Sequence, residues 1–160
     1  MKNKWIIVAV AVAGVSFLPA GARAAARSYN PLKWIKKSPS PTASEQLAAN
    51  KEQEKKLSLQ LQAVLPPRTS LKDACAGFKT LSDCVATLHV SHNLNLKFNC
   101  LKWDVTGAKP LGDVKSCSAP SNDKAVDLSK AIRTLKPGAN SRTEAKTAEK
   151  RAREDIKDAS

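Results

Sequence analysis

Few side chains in this sequence could do chemistry, and they are cysteines and histidines. They are Cys75, Cys84, Cys100, Cys117, His89 and His92. The two histidines are three residues apart, which would place them on one face of a helix, and with Cys84 they could form a zinc site. No CxxC pair is present, however, and the spacing fits no standard zinc pattern. We therefore favour disulfides and predict no metal site.

Oxidation of the cysteines depends on the compartment, and residues 1–24 indicate export. Two lysines precede an uncharged apolar run at residues 5–18, and the small residues Ala22 and Ala24 suit a signal peptidase. This run of 14 residues is shorter than the roughly 20 that span a bilayer. We expect a signal peptide cleaved near Ala24 and a periplasmic or secreted mature protein without a transmembrane helix.

In an oxidising compartment, the four cysteines are predicted to form two disulfides. Four cysteines allow three pairings, and the sequence alone does not choose among them. Our hypothesis joins nearest neighbours, Cys75 with Cys84 and Cys100 with Cys117. Each bridge would close a short loop and contribute roughly 3 kcal/mol. A core of about 70 residues needs such support because it buries little surface.

Catalysis by a Ser–His–Asp arrangement would require one histidine beside a carboxylate such as Asp73 or Asp83, together with a nucleophile. No nucleophile-elbow sequence is present, and phosphate-loop, dinucleotide-binding and haem-attachment motifs are absent too. We predict that the chain is not an enzyme, that it has no cofactor, and that His89 is a packed or surface-capping residue.

Residues 25–42 are predicted to form a basic arm ahead of the folded chain. The arm carries a charge of +4 with no acidic residue, and its three prolines prevent a regular helix. A cluster of basic residues around a tryptophan could bind an anionic surface through charge attraction and aromatic insertion. The residues of this cluster are Lys33, Trp34, Lys36 and Lys37. The alternative, which we favour, is a solvated linker whose Trp34 packs on the domain.

Residues 43–65 are predicted to form an amphipathic helix. Thr42 and Glu45 have the spacing of a capping box, and Pro66 ends the apolar pattern. The first half of this helix is polar and the second half apolar. We therefore expect it to dock only by its C-terminal end.

Residues 66–138 are predicted to form a helical core that holds all four cysteines. Ser70 is expected to cap a first helix running to Phe78, and Thr80 or Ser82 is expected to cap a second helix. The spacing of its apolar residues extends that second helix to about His92.

The next part of the core begins with Asn93, which is expected to end the second helix because asparagine tolerates the left-handed conformation. Residues 94–105 alternate like a strand but also present a helical face. No second strand is evident to pair with, so we predict a helix that begins near Leu96 and ends at Gly107. After a loop, a further helix is expected to begin at a cap. The capping candidates are Asn122 and Asp123.

Residues 139–160 are predicted to form a charged helical tail. Ser141 and Glu144 have capping-box spacing, and the apolar positions form a thin alanine seam. Two opposite-charge i,i+4 pairs are expected on this helix, Lys150 with Glu154 and Arg151 with Asp155. The seam would bury little area, so we expect weak docking. Two interpretations remain open, a solvated and partly frayed tail or a coiled-coil seam for a partner.

The formal charge of +13 favours a nucleic-acid partner at first, but its distribution argues against one. Cleavage near Ala24 leaves +10, of which the core carries +5 and the tail +1. No helix concentrates basic residues with interleaved aromatics, and export separates the protein from genomic DNA. We predict no specific nucleic-acid partner.

Several segments resemble a family, the uncharacterised small exported proteins of acidobacteria-like environmental bacteria. They are DACAGFK at 73–79, ATLHVSHNL at 86–94, FNCLK at 98–102 and LSKAI at 128–132. The resemblance covers roughly residues 57–158. It implies an all-α fold in which the core and the tail form one unit, and it implies no activity, cofactor or catalytic residue.

The expected fold class is all-α, a small disulfide-stapled core of three to four short helices flanked by an amphipathic helix and a charged C-terminal helix. The expected function is a non-catalytic interaction or structural role in the periplasm or outside the cell, through an unknown protein partner. The alternative is attachment to anionic lipid or polysaccharide of the cell envelope through the basic arm and Trp34. Salt would separate the two, because binding through the arm weakens as ionic strength rises.

Overall fold

The polypeptide forms seven α-helices in the part of the chain that the structure describes. The structure is a computed structural model, and it describes residues 40–110, 114, 116–117 and 124–160. The helices are α1 (Ala43–Ala49), α2 (Lys51–Gln60), α3 (Leu71–Cys75), α4 (Leu81–Leu94), α5 (Phe98–Thr106), α6 (Leu128–Leu135) and α7 (Ser141–Ala159). The predicted all-α, disulfide-stapled fold class is confirmed. None of these helices is both long and apolar enough to cross a bilayer.

Polar side chains fix the starts of α3 and α4 as predicted. The Ser70 hydroxyl accepts a hydrogen bond from the amide of Asp73 at 3.1 Å, and the Thr80 hydroxyl accepts one from the amide of Asp83 at 3.1 Å. Each bond satisfies one of the amides that the first turn of a helix leaves without a partner. These two acids are therefore held in the first turns of their helices.

The helix predicted over residues 43–65 is two helices, α1 and α2, which meet at Asn50. The backbone of Asn50 is not helical (φ −126°, ψ 84°), and its side chain accepts a hydrogen bond from the amide of Gln53 at 3.1 Å, which caps α2. The expectation that only the C-terminal end docks is wrong. Ala43 and Leu47 on α1 are fully buried, because the break allows α1 to pack against α3 and α4.

The predicted contact between Thr42 and Glu45 at the start of α1 is confirmed. The backbone amide of Thr42 donates to a carboxylate oxygen of Glu45 at 2.7 Å, which is one half of a capping box. This bond lowers the pKa of Glu45 because it stabilises the carboxylate form.

Two of the predicted helix ends shift by a few residues. Helix α3 ends at Cys75 instead of Phe78, and Gly77 follows in the left-handed conformation (φ +89°). Helix α4 continues one residue beyond Asn93 to Leu94, and Asn95 caps it in the left-handed conformation (φ 52°).

The predicted helix near Leu96 is confirmed as α5, which begins at Phe98. The predicted end of this helix is confirmed too, because Gly107 follows Thr106 as the C-terminal cap and is left-handed (φ 70°). The ambiguous segment 94–105 is therefore a helix and not a strand over most of its length.

The caps of α6 and α7 differ from the predicted ones. Asp127 caps α6 by accepting a hydrogen bond from the amide three residues on at 2.9 Å, whereas Asn122 and Asp123 lie outside the described residues. Asn140 caps α7 in the same way at 3.3 Å, so that Ser141 is the first helical residue and not the cap.

The C-terminal helix α7 packs along α4 in the most extensive helix–helix contact of the described residues. Its buried side chains are all alanine: Ala145, Ala148, Ala152 and Ala159. Small side chains let two helices approach closely, and α4 has larger buried side chains, among them Val85 and Leu88. The expectation of weak docking is therefore wrong, and the alanine seam contacts a helix of the same chain.

Candidate functional site

The cysteines join nearest neighbours, as the pairing hypothesis states. Cys75 is bonded to Cys84 and Cys100 is bonded to Cys117, with Cα–Cα distances of 5.2 and 5.1 Å. The first bridge ties the end of α3 to the start of α4. The second ties α5 to the segment that follows it. Each closes a short loop and is expected to contribute roughly 3 kcal/mol.

The same bonds bear on the alternative zinc site. The Cys84 sulfur belongs to a disulfide, so it is not a thiolate that could bind a metal with His89 and His92. His89 is buried while His92 is exposed. Among the described residues, no group of three or more His, Cys, Asp or Glu side chains is arranged to hold a metal ion.

His89 forms a partly buried pair with Asp155 of α7. The distance from His89 Nε2 to a carboxylate oxygen of Asp155 is 2.6 Å, and the exposed fractions of the two side chains are 7% and 24%. The predicted carboxylates Asp73 and Asp83 instead lie in the first turns of α3 and α4. Within the described residues no hydroxyl is hydrogen-bonded to the His89 ring, so the pair joins two helices and orients no nucleophile.

Of the two ion pairs expected within α7, one is absent and the other is present. Asp155 was expected to pair with Arg151 on its own helix, but its carboxylate contacts His89 instead. The predicted pair of Lys150 with Glu154 is present at 3.9 Å on the exposed face of α7. The sequence offered no local signal for the His89–Asp155 contact because 66 positions separate the two residues.

A cavity of about 610 Å³ lies between α3 and α5. Much of its wall is apolar, contributed by Pro66, Ala74, Ala76, Phe98, Ala108 and Pro110. Volumes of roughly 300–1,000 Å³ and mainly apolar walls are typical of small-molecule sites. The left-handed Gly77 turn after α3 forms part of the rim.

Lys102 places one positive charge in the wall of this cavity. Its Nζ donates to the backbone carbonyl oxygens of Asp73 and Ala74 at 3.2 and 2.9 Å, and it lies 5.9 Å from the ring centroids of both Phe78 and Phe98. These contacts hold the ammonium group in place by hydrogen bonds and cation–π attraction. Burial lowers the pKa of Lys102, and the nearby Asp73 carboxylate opposes that shift.

Sequence reasoning did not single out Lys102, although a signal was present. Phe98 and Lys102 are four residues apart, which places them on one face of α5. The contribution of Phe78 and of the α3 carbonyls comes from a separate helix, and local spacing could not show it.

Asp104 is a buried acid outside this cavity. Its Oδ2 has no hydrogen-bond partner among the described residues. Burial raises the pKa of the Asp104 carboxyl, because the charged form loses its hydration.

The basic cluster predicted to bind a surface lies outside the described residues, as do the predicted signal peptide and most of the arm. The residues of the cluster are Lys33, Trp34, Lys36 and Lys37. Its assignment therefore stays a prediction.

Comparison of the chain with protein-family models, with curated proteins and with solved structures finds no match.

Proposed function

We propose that this protein is exported and has a non-catalytic interaction or structural role in the periplasm or outside the cell. The observation that carries the proposal is the pair of disulfides, Cys75–Cys84 and Cys100–Cys117, within one small helical core. Structural disulfides persist in oxidising compartments and are rare in the cytosol. The signal-like segment at residues 1–24 supports the same conclusion.

The non-catalytic part of the proposal rests on what the reactive side chains do in the fold. The four cysteine sulfurs form covalent cross-links, and the His89 ring lies in the contact between α4 and α7. These side chains have structural roles, which leaves the surface of the helices for contact with a partner. The resemblance to small exported proteins of acidobacteria-like bacteria agrees with this role.

A second candidate function is attachment to the anionic cell envelope. Residues 25–42 carry four basic residues and no acid, with Trp34 among the lysines. Such a segment binds anionic surfaces by charge attraction and by insertion of the aromatic ring. The ligand would be anionic lipid or polysaccharide.

Crosslinking in the native host, followed by fractionation and mass spectrometry, tests the first proposal. We expect a mature chain beginning near Ala25, with all four thiols oxidised, that crosslinks to a protein of the periplasm or the exterior. Reduced full-length protein in the cytosol would contradict export. An exported monomer that retrieves no crosslinked partner would contradict the interaction role.

A salt wash of envelope fractions tests the second candidate. Attachment through the arm should weaken as ionic strength rises, because salt screens exposed charges. A variant lacking residues 25–42 should be released at low salt. Envelope association that survives either treatment would exclude the arm as the attachment site.

A further inference from the structure

We propose that the cavity between α3 and α5 binds a small organic monocarboxylate with an apolar body, and that Lys102 supplies the contact to its carboxylate. This site goes beyond the proposed interaction role, and it requires neither a protein partner nor the basic arm.

The first step of the argument is the hydrogen-bonding capacity of the Lys102 ammonium group. An ammonium has three protons, and two of them go to the carbonyl oxygens of Asp73 and Ala74. Among the described residues the third proton has no acceptor. Because Lys102 lines the cavity, this proton is available to an oxygen placed there.

The second step is that the ammonium group is held in place before any ligand arrives. The two carbonyls fix Nζ, and the rings of Phe78 and Phe98 flank it at 5.9 Å each. A ligand therefore does not bear the entropic cost of ordering a flexible lysine side chain. Partial burial also strengthens a charged contact, because less water screens it.

The third step concerns the charge of the ligand. Asp73 lines the same cavity, and the carbonyl oxygens at the end of α3 add partial negative charge. Among the described lining residues the cations are Lys102 and Lys109 and the one acid is Asp73, so the described part of the wall has a small positive net charge. A dianion such as phosphate would be repelled by the carboxylate and the carbonyls, whereas a monocarboxylate balances the excess charge.

The fourth step concerns the rest of the ligand. The larger part of the exposed wall is apolar and includes the ring of Phe98 with the side chains of Ala74, Ala76 and Pro66, while Thr69, Asn99 and Thr106 are polar lining residues. Burial of an apolar group against these side chains is favourable, because it removes apolar surface from water. The ligand class is therefore an aromatic or branched aliphatic acid and not a sugar acid.

The test uses 1-naphthylacetate, a monocarboxylate with an apolar ring system, with its neutral amide and the cationic 1-naphthylmethylamine as comparisons. Amide chemical shifts of the oxidised protein report binding and its location. We expect saturable shifts at residues 73–77 and 99–108 with a dissociation constant below about 1 mM. The neutral amide should bind at least about tenfold more weakly, because it loses the charge-assisted hydrogen bond, and the amine should bind more weakly still.

Two variants locate the site. Lys102→Met keeps much of the apolar stem of the side chain and removes its charge. It should weaken the binding of naphthylacetate at least about tenfold, while the affinity for the neutral amide stays within about twofold. Ala76 is an exposed lining residue of the cavity, so Ala76→Trp should fill the cavity and weaken the binding of both probes. The second variant keeps the proposal testable if Lys102→Met fails to fold.

A matched control comes from another lysine that bonds a backbone carbonyl. The Nζ of Lys136 donates to the carbonyl oxygen of Leu94 at 2.8 Å, and Lys136 does not line this cavity. Lys136→Met therefore removes the same charge and a similar bond elsewhere, and it should leave naphthylacetate binding unchanged.

A separate readout distinguishes a ligand contact from a purely structural lysine. If a carboxylate binds beside Lys102, the pKa of its ammonium group must rise on binding, which NMR of the side-chain nitrogen can follow. Absence of saturable shifts up to about 5 mM probe, equal affinity for acid and amide, an unchanged pKa on saturation, or equal weakening by Lys136→Met would each overturn the proposal.

Discussion

Two regions of this molecule reach stability by different means. The stapled end consists of the short helices α3 and α5 together with the two disulfides, which join them to the start of α4 and to Cys117. The packed half consists of α7 lying along the rest of α4, with buried alanines on α7 and no covalent link between the two helices.

The two regions also differ in helix length. Helix α3 has 5 residues and α5 has 9, and isolated helices below about 12 residues are marginal in water. Helix α7 has 19 residues and buries an alanine at successive turns, so its own propensity and its packing support it. Covalent links therefore support α3 and α5, whereas the other short helices α1, α2 and α6 carry no disulfide and rely on packing. The 610 Å³ cavity lies in the stapled end.

The largest expected effect comes from removing a disulfide. Replacing Cys75 and Cys84 together by alanine should lower the free energy of unfolding by about 3 kcal/mol, because the unfolded chain regains the entropy of an open loop. The double replacement of Cys100 and Cys117 should cost about the same or slightly more, since its loop is longer. Urea unfolding measures both.

The comparison between the regions would fail if the free energy of unfolding of either double variant fell by less than about 1 kcal/mol, which is typical of an average point mutation. It would then be packing, and not the covalent links, that holds the stapled end.

The next largest effect concerns the alanine seam of the packed half. Ala152 is fully buried, so Ala152→Leu should force side chains apart and cost about 1–3 kcal/mol. Thr147→Leu, on the exposed face of the same helix, should change stability by less than about 0.5 kcal/mol. Thermal unfolding of both variants would show whether the alanine seam is packed against α4. Equal losses of stability in the two variants would mean that α7 is the partly frayed tail, which is one of the two interpretations of its sequence.

A smaller effect is expected at the His89–Asp155 pair, which joins the two helices of the packed half. A double-mutant cycle with His89→Gln and Asp155→Asn should give a coupling on the order of 1 kcal/mol, because both groups are largely shielded from water. The matching cycle at Lys150 and Glu154 should give less than about 0.5 kcal/mol, because those side chains are 76% and 60% exposed. Equal couplings would show that the buried pair adds nothing to the packed half.

What the sequence could predict follows the same division between local and distant contacts. The caps at Ser70 and Thr80 and the end at Gly107 depend on residues close in the chain, and the sequence indicated each of them. The nearest-neighbour disulfides also join residues close in the chain, but the sequence allowed three pairings and supported this one only as a hypothesis. The break at Asn50 was missed, because the apolar pattern continues across it and only packing on α3 and α4 favours the bend.

The functional features depended mainly on distant contacts, and of these the sequence held a local signal only for Lys102 with Phe98. An alanine seam looks the same whether it faces solvent, a partner or α4, so α7 was placed outside the core. Asp155 and Lys102 acquire their roles from residues 66 and 28–29 positions away. Local patterns contain no information on such pairings.

The smallest effect is a pH dependence at Asp104. Burial raises its pKa in the folded state above the ordinary value, so the folded protein binds the proton more tightly than the unfolded chain does. Its contribution to stability is therefore lost as pH rises through the raised pKa. Asp104→Asn should gain stability relative to the unsubstituted protein as pH rises above the ordinary pKa of an aspartate, which urea unfolding at several pH values measures.

Asp127, the cap of α6, supplies a control of opposite sign. Hydrogen bonds from Ser129 and from the amide of Lys130 lower its pKa, so its contribution is present at neutral pH and is lost as pH falls. Asp127→Asn should lose stability relative to the unsubstituted protein as pH rises. A pH-independent difference for Asp104→Asn would show that its carboxyl is not perturbed by burial.

Hydrogen exchange of the oxidised and the fully reduced protein tests the central contrast most directly. We predict that reduction accelerates exchange of the α3 and α5 amides at least about tenfold more than exchange of the central α7 amides, which stay protected by packing on α4. Equal acceleration in all helices, or unprotected α7 amides in the oxidised protein, would contradict the division into a stapled end and a packed half.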